Sequence, residues 1–180
     1  MEAERKLIVI LESEAPLEAK QEACRQLWRT GTDASVPALE KMLSDPDVHV
    51  VEAACYALSQ RRSAAVSRAL RRALDRAAGA RLDPIVNLIG DRREAWAAPR
   101  LAQIGSEAAI AALGKIATPE AVRALRASRQ AAVEHALLQA AQELAQRGQD
   151  AAAKEIYAEL ASSHTPQIGR GAKIALGNLS

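Results

Sequence analysis

Apolar positions recur along this chain at helical spacing, in stripes that come two by two. The stretch 32–60 shows the unit most clearly. Leu39, Met42 and Leu43 fall on one face of a predicted helix opened by Thr32 or Asp33, and Val50, Ala54, Cys55 and Leu58 fall on one face of a second. Between them Ser44-Asp45-Pro46 breaks and restarts the chain, reading as an N-cap followed by proline at the first helical position. Two such helices cannot bury their apolar faces alone, so the unit needs neighbours.

The sequence supplies them. Anchored on one central apolar residue, the first helices give Ile8, Leu39, Leu70, Leu101, Leu125 and Ile156, in steps of 31, 31, 31, 24 and 31 residues. The second helices give Leu27, Leu58, Ile89, Leu113, Leu144 and Leu176, and each anchor precedes the next first-helix anchor by 12 residues. The spacing predicts six antiparallel helix pairs, at approximately 3–30, 32–60, 63–91, 94–117, 119–147 and 149–179, stacked as one domain over 1–180. In the fourth pair the anchors Leu101 and Leu113 lie 12 apart, against 19 in the pair before it. A deletion of about two helical turns keeps the stripe on its face, and a local change in curvature is expected there. Four residues before the second-helix anchors stand Ala23, Ala54, Ile85, Ala109, Ala140 and Ala172, which suits close helix contact. Asp83-Pro84 predicts a late, short second helix in the third pair. Thr118-Pro119 and Thr165-Pro166 predict further helix starts, and Gly31, Gly105 and Gly148 predict helix ends.

Composition agrees. Apolar residues are 49% of the 180, yet only two Trp, two Tyr and no Phe occur. Alanine supplies much of the remainder and favours an all-α chain. No β-branched alternating run competes. The N-terminal run Leu7-Ile8-Val9-Ile10-Leu11 is flanked by charges and has no cleavage site after it. No stretch approaches the roughly 18–20 apolar residues of a membrane span, so a soluble, cytoplasmic location is the default expectation.

The strings SVPALEKMLSDPDVHVVEAACYAL and IAALGKIATPEAVRAL resemble HEAT repeats, particularly the short bacterial HEAT-like kind. The resemblance implies a right-handed α-solenoid of the armadillo type and a role in binding protein or peptide partners. It also implies that the second helices line the concave side. HEAT repeats often carry a turn aspartate and an arginine after the valine of the second helix, which ladder between units. Asp45 matches the first, but Val51 stands where the arginine belongs, and only Glu14 and Lys20 of the first pair carry comparable charges. A continuous charge ladder is therefore not expected.

Candidate chemistry is sparse. Cys24 and Cys55, 31 apart, fall at equivalent positions of adjacent second helices. Packed helices lie about 8–10 Å apart, too far for a disulfide, so inert buried thiols are expected. His49, His135 and His164 lack neighbours at metal-ligand spacing. Asp45, Asp47 and Glu52 read as helix-start and surface carboxylates. No phosphate-binding glycine loop, nucleophile motif or zincin motif occurs, and no catalytic residue, metal or cofactor is expected. Bilin lyases and alkylpurine DNA glycosylases share HEAT-like folds, but none of their active-site residues can be matched, which leaves a HEAT-like enzyme as an alternative only.

Charge is uneven. Residues 1–60 hold 6 basic and 11 acidic side chains, residues 61–100 hold 10 arginines and 4 acids, and residues 101–180 hold 8 basic and 7 acidic. Arg68, Arg72 and Arg76 share one helix face and form a candidate anion-binding patch, since arginine pairs bidentately with carboxylate or phosphate. Nucleic-acid binding through this cluster is the weaker alternative, for lack of interleaved aromatics and strong net charge. Two residues before each second-helix anchor lie Arg25, Tyr56, Asn87, Ala111, Gln142 and Ile174. The resemblance makes this row the groove. A partner is expected to contact Arg25, Tyr56, Asn87 and Gln142, with an acidic portion near the central arginines.

Overall fold

The computed structural model describes residues 2–179, which form twelve α-helices. They divide into two compact units, one ending at Arg92 and the other beginning at Arg93. The first unit pairs α1 (Glu2–Glu12) with α2 (Leu17–Thr30), α3 (Val36–Met42) with α4 (Val48–Ser59), and α5 (Ala64–Arg76) with α6 (Leu82–Asp91). The second pairs α7 (Ala98–Ile104) with α8 (Glu107–Ile116), α9 (Pro119–Ala127) with α10 (Val133–Gln146), and α11 (Asp150–Leu160) with α12 (Pro166–Asn178). Every described element is helical and neighbouring helices pack on one another, the all-α plan that the apolar spacing predicts. No helix among the described residues is long and apolar enough to cross a membrane.

Within the first unit the second helices stack in order, α2 on α4 and α4 on α6, while α1 packs on α3 and α3 on α5. Leu27, Leu58 and Ile89 are fully buried on this stack, each contributing about 1.5–3 kcal/mol relative to exposure. Ala23, Ala54 and Ile85 are buried four residues earlier. In the second unit α8, α10 and α12 stack likewise, with Leu113 and Leu144 buried and Leu176 only half-buried. Gly114 explains how closely α8 meets α10. A Cβ there would lie 2.7 Å from the Ala136 carbonyl oxygen and 3.0 Å from its Cα.

Several local expectations shift. The stripe of α1 is Glu4, Leu7 and Leu11, and Ile8 is half-buried. Thr32, donating from its main-chain N at 2.6 Å and from its hydroxyl at 3.0 Å, draws the Glu4 carboxylate inward and sets the register. The start of α4 lies beyond Ser44-Asp45-Pro46. Its N-cap is Asp47, whose carboxylate accepts from His49 N at 2.8 Å, while Asp45 accepts from Asp47 N at 3.0 Å and Pro46 stays in the turn. α6 begins seven residues before Ile89, whereas α2 and α4 begin ten before Leu27 and Leu58. It is late, as expected, yet Pro84 lies inside its first turn, where the missing N–H has no intrahelical partner to lose.

In the fourth pair the shortening is divided. The turn is Gly105-Ser106 alone, and α8 starts only six residues before Leu113, so loop and first helical turn are both trimmed. Gly105 adopts φ 60°, the left-handed end expected of it, and Ser106 caps Ala109 N at 3.2 Å. Thr118 and Pro119 open α9 as expected, with the hydroxyl accepting from Ala121 N at 3.2 Å. Pro166 does sit at the start of α12, but Thr165 makes no cap. Its hydroxyl instead donates to Glu134 at 2.8 Å, tying α12 to α10.

Candidate interaction surface

Arg25, Tyr56 and Asn87 project from α2, α4 and α6, the three stacked second helices of the first unit, and all are exposed. Their 31-residue spacing on helices that touch puts them in a row. Tyr56 is 50% exposed and stacks on Trp28 of α2, ring centroids 5.1 Å apart and planes 19° off parallel. The indole Nε1 of Trp28 is shielded from solvent and has no hydrogen-bond partner among the described residues. One side of this aromatic pair is bounded by Glu22, Arg25 and Arg29. Glu22 accepts from Arg25 at 2.9 Å and from Gln26 at 2.9 Å, and these bonds, Gln26 first, hold its carboxyl below the usual range. The other side opens on a cleft between α4 and α6 lined by Glu52, Tyr56, Asp83, Asn87 and Asp91.

In the second unit the same register gives Ala111, half-buried on α8, Gln142, exposed on α10, and Ile174, 62% exposed on α12. Trp28 was not singled out by periodicity, because it follows the anchor Leu27 instead of preceding it. Its scarcity as one of two tryptophans was the available signal.

Few of the arginines of 61–100 stand as bare charges. Arg72 grips Glu40 through two bonds of 2.7 and 2.6 Å, and Arg76 reaches the same carboxylate at 3.1 Å. Arg72 chiefly holds the Glu40 carboxyl below its ordinary range. Arg68 is exposed on the same helix. Arg93 pairs with Glu143 through two bonds of 2.8 Å. Others donate to main-chain oxygens: Arg61 to Gly31 at 3.2 Å, Arg62 to Arg92 at 3.1 Å and Arg81 to Ser44 at 3.0 Å.

These contacts reveal a device the apolar pattern concealed. Arg61, Arg92 and Arg147 each stand three residues after a second-helix anchor. Arg61 donates to the carbonyls of Leu27 and Gly31, Arg92 to that of Arg61, and Arg147 to those of Ile116 at 3.1 Å and Lys115 at 3.2 Å. Arg61 and Arg147 thus donate to carbonyls at the C-terminal end of the second helix one repeat earlier, with a positive charge where the helix dipole favours one, while Arg92 donates just past the end of α4. One rung of the charge ladder also exists, Lys20 to Asp45 at 3.3 Å between the first and second pairs, while Val51 is simply buried.

Cys24 and Cys55 are both free and buried, and burial pushes each thiol up to about 12. His49, His135 and His164 are exposed. Among the described residues no group of three His, Cys, Asp or Glu side chains could hold a metal ion.

Among curated proteins none matches the chain significantly. A crystal structure of an engineered protein is similar at 20% identity, covering 100% of this chain and 99% of its own, with a TM-score of 0.45. A family model described as HEAT repeats matches residues 4–88, most of the first unit. Residues 4–88 are thus similar to HEAT repeats.

Proposed function

We propose that the chain is a non-catalytic scaffold that holds a partner protein or peptide on the exposed face of the second helices of its first unit, with Arg25, Tyr56 and Asn87 as contacts; Gln142 is the equivalent contact position of the second unit. The observation that carries this reading is the row Arg25, Tyr56, Asn87 on three touching helices, centred on a half-exposed tyrosine. Tyrosine and arginine are enriched where binding energy concentrates. Tyr56 is held in place by its stack on Trp28, so little side-chain freedom is lost when a partner covers it. The anion-binding patch of Arg68, Arg72 and Arg76 is the less favoured surface, because two of its members already donate to the Glu40 carboxylate.

A photo-crosslinking residue placed at Asn87, and in a separate variant at Arg68, tests this in cells that make the protein. Capture of a discrete partner from Asn87, weakened by Tyr56→Ala and competed by the purified wild-type protein, is expected. Capture from Arg68 alone assigns binding to the arginine face of α5 and overturns the reading.

A further inference from the structure

We infer that α12 is a releasable strap on the second unit: it leaves α10 and α11 as one piece while they stay folded, and the Glu134 carboxylate is the catch that holds it down. α12 packs on α10 and α11, yet among the described residues it buries only Ile168, Gly169 and Ala172. By contrast, α10 buries Val133, Ala136, Leu137, Ala140, Ala141 and Leu144. The anchor Leu176 is half-buried, and Ile174 is 62% exposed. Gly169, Gly171 and Gly177 all lie within α12, and each loses more backbone freedom on folding than alanine would. The N-cap residue Thr165 makes no side-chain bond to the helix it opens. A helix with so little apolar burial and so weak a propensity belongs at the low end of local stability.

The polar contacts that hold α12 meet at one carboxylate. Glu134, in the first turn of α10, accepts from the Ser163 hydroxyl at 2.9 Å and from the Thr165 hydroxyl at 2.8 Å. Ser163 Oγ in turn accepts from Thr165 N at 3.0 Å. The residues that lead into Pro166 therefore hang from α10 by bonds to a charged acceptor, which are stronger than neutral ones. These bonds fix the direction in which the chain leaves the turn, and so they aim Ile168 onto the surface it covers. Gly169 lets the helix lie close over the same turn, since an added Cβ would sit 3.3 Å from the Ser163 carbonyl oxygen and 3.5 Å from that of Ala161. Without the Glu134 bonds, two apolar side chains and a close glycine contact are left to reseat a glycine-rich helix. Opening then uncovers the apolar surface of α10 and α11 beneath Ile168 and Ala172, which the closed protein hides.

Amide hydrogen exchange of the full chain, resolved by residue, tests the strap. In the wild-type protein the amides of α12 are expected to exchange about tenfold or more faster than those of α8 and α10. The S163A/T165V variant, which keeps Glu134 but removes what it grips, should speed exchange in α12 by a further tenfold or so and leave α8 and α10 unchanged. The G171A/G177A variant should slow α12 alone, because nothing stands near either added Cβ. Labelling gives an independent reading. A thiol reagent should react with an Ala172→Cys variant in the native state, faster when S163A/T165V is added, while the buried Cys24 and Cys55 stay silent. Exchange in α12 as slow as in α10 overturns the inference. So does an S163A/T165V variant that leaves α12 unchanged or speeds α8, α10 and α12 alike, and so does an Ala172→Cys thiol that reacts only together with Cys24 and Cys55.

Discussion

Arg61 lies with its Nε 3.2 Å from the carbonyl oxygen of Gly31, 30 residues earlier, and Gly31 leaves room for the guanidinium by having no side chain. Gly31 has φ −71° and ψ 150°, an ordinary extended conformation, so backbone freedom is not why glycine is needed. A Cβ there would run into Arg61 Nη2 and come within 2.6 Å of the Leu27 carbonyl oxygen and 2.9 Å of Ser35 Oγ. Gly31→Ala is therefore expected to cost about 1–3 kcal/mol by overpacking. Arg61→Gln should cost about 1–3 kcal/mol by leaving helix-end carbonyls unpaired. Urea unfolding of the two single variants and the double variant checks both. The double variant should cost less than the sum, because each change removes what the other disturbs.

The helical glycines Gly114, Gly171 and Gly177 divide into two kinds. Gly114→Ala should destabilise by about 1–3 kcal/mol, because its Cβ meets the main chain of Ala136, which cannot rotate away. Gly171 and Gly177 lie in α12 with nothing near an added Cβ. Gly171→Ala and Gly177→Ala should each stabilise by about 0.5–1 kcal/mol, through backbone entropy. Urea midpoints moving in opposite directions for the two groups is the expected result.

Acid should weaken the fold in a definite window. Glu4, Glu40, Glu134 and Glu143 all have carboxyls held below their ordinary value of 4.5. The leading causes are the Thr32 main-chain N–H for Glu4, Arg72 for Glu40, the Thr165 hydroxyl for Glu134 and Arg93 for Glu143. A lowered folded-state pKa gives stability that is present above the unfolded value and lost as pH falls through the folded one. Stability should be level from neutrality down to about pH 5 and decline below 4.5. Glu4→Gln should lower stability at neutral pH and flatten the acid decline, as read from urea midpoints at successive pH values.

The two cysteines should be silent in the native protein. With both thiols buried and raised to about 12, a thiol reagent at pH 8 should label neither until the chain unfolds. Two equivalents should then react in denaturant, matching the two cysteines of the sequence. Rapid labelling of the folded protein would show that α2 and α4 open readily.

Much of the helix plan was legible because burial repeats with the chain. Leu39, Leu70, Leu101 and Leu125 are fully buried at the predicted places. The alanine series, and its one isoleucine at Ile85, is likewise buried throughout. At two places where the pattern slipped, a polar contact joins neighbouring repeats. Glu4 turned the stripe of α1 toward Thr32, and Glu134 took the Thr165 hydroxyl away from its cap. The surroundings of the arginine cluster are likewise set by contacts across repeats. A count of charges reads Arg72 and Arg76 as an anion site, while the fold places Glu40 within reach of both.

Taken alone, the sequence determined the all-α plan, the helix pairs, their apolar faces and the row containing Arg25, Tyr56 and Asn87. These follow from local periodicity, since a side chain's face on a helix is set by its number. Tertiary structure decided which polar groups meet across repeats: Arg61 over Gly31, Arg72 on Glu40, Tyr56 on Trp28, and carboxylates from α4 and α6 around one cleft. Those depend on side-chain reach of a few ångströms between stacked helices. Periodicity states which residues face the same way but not which of them touch.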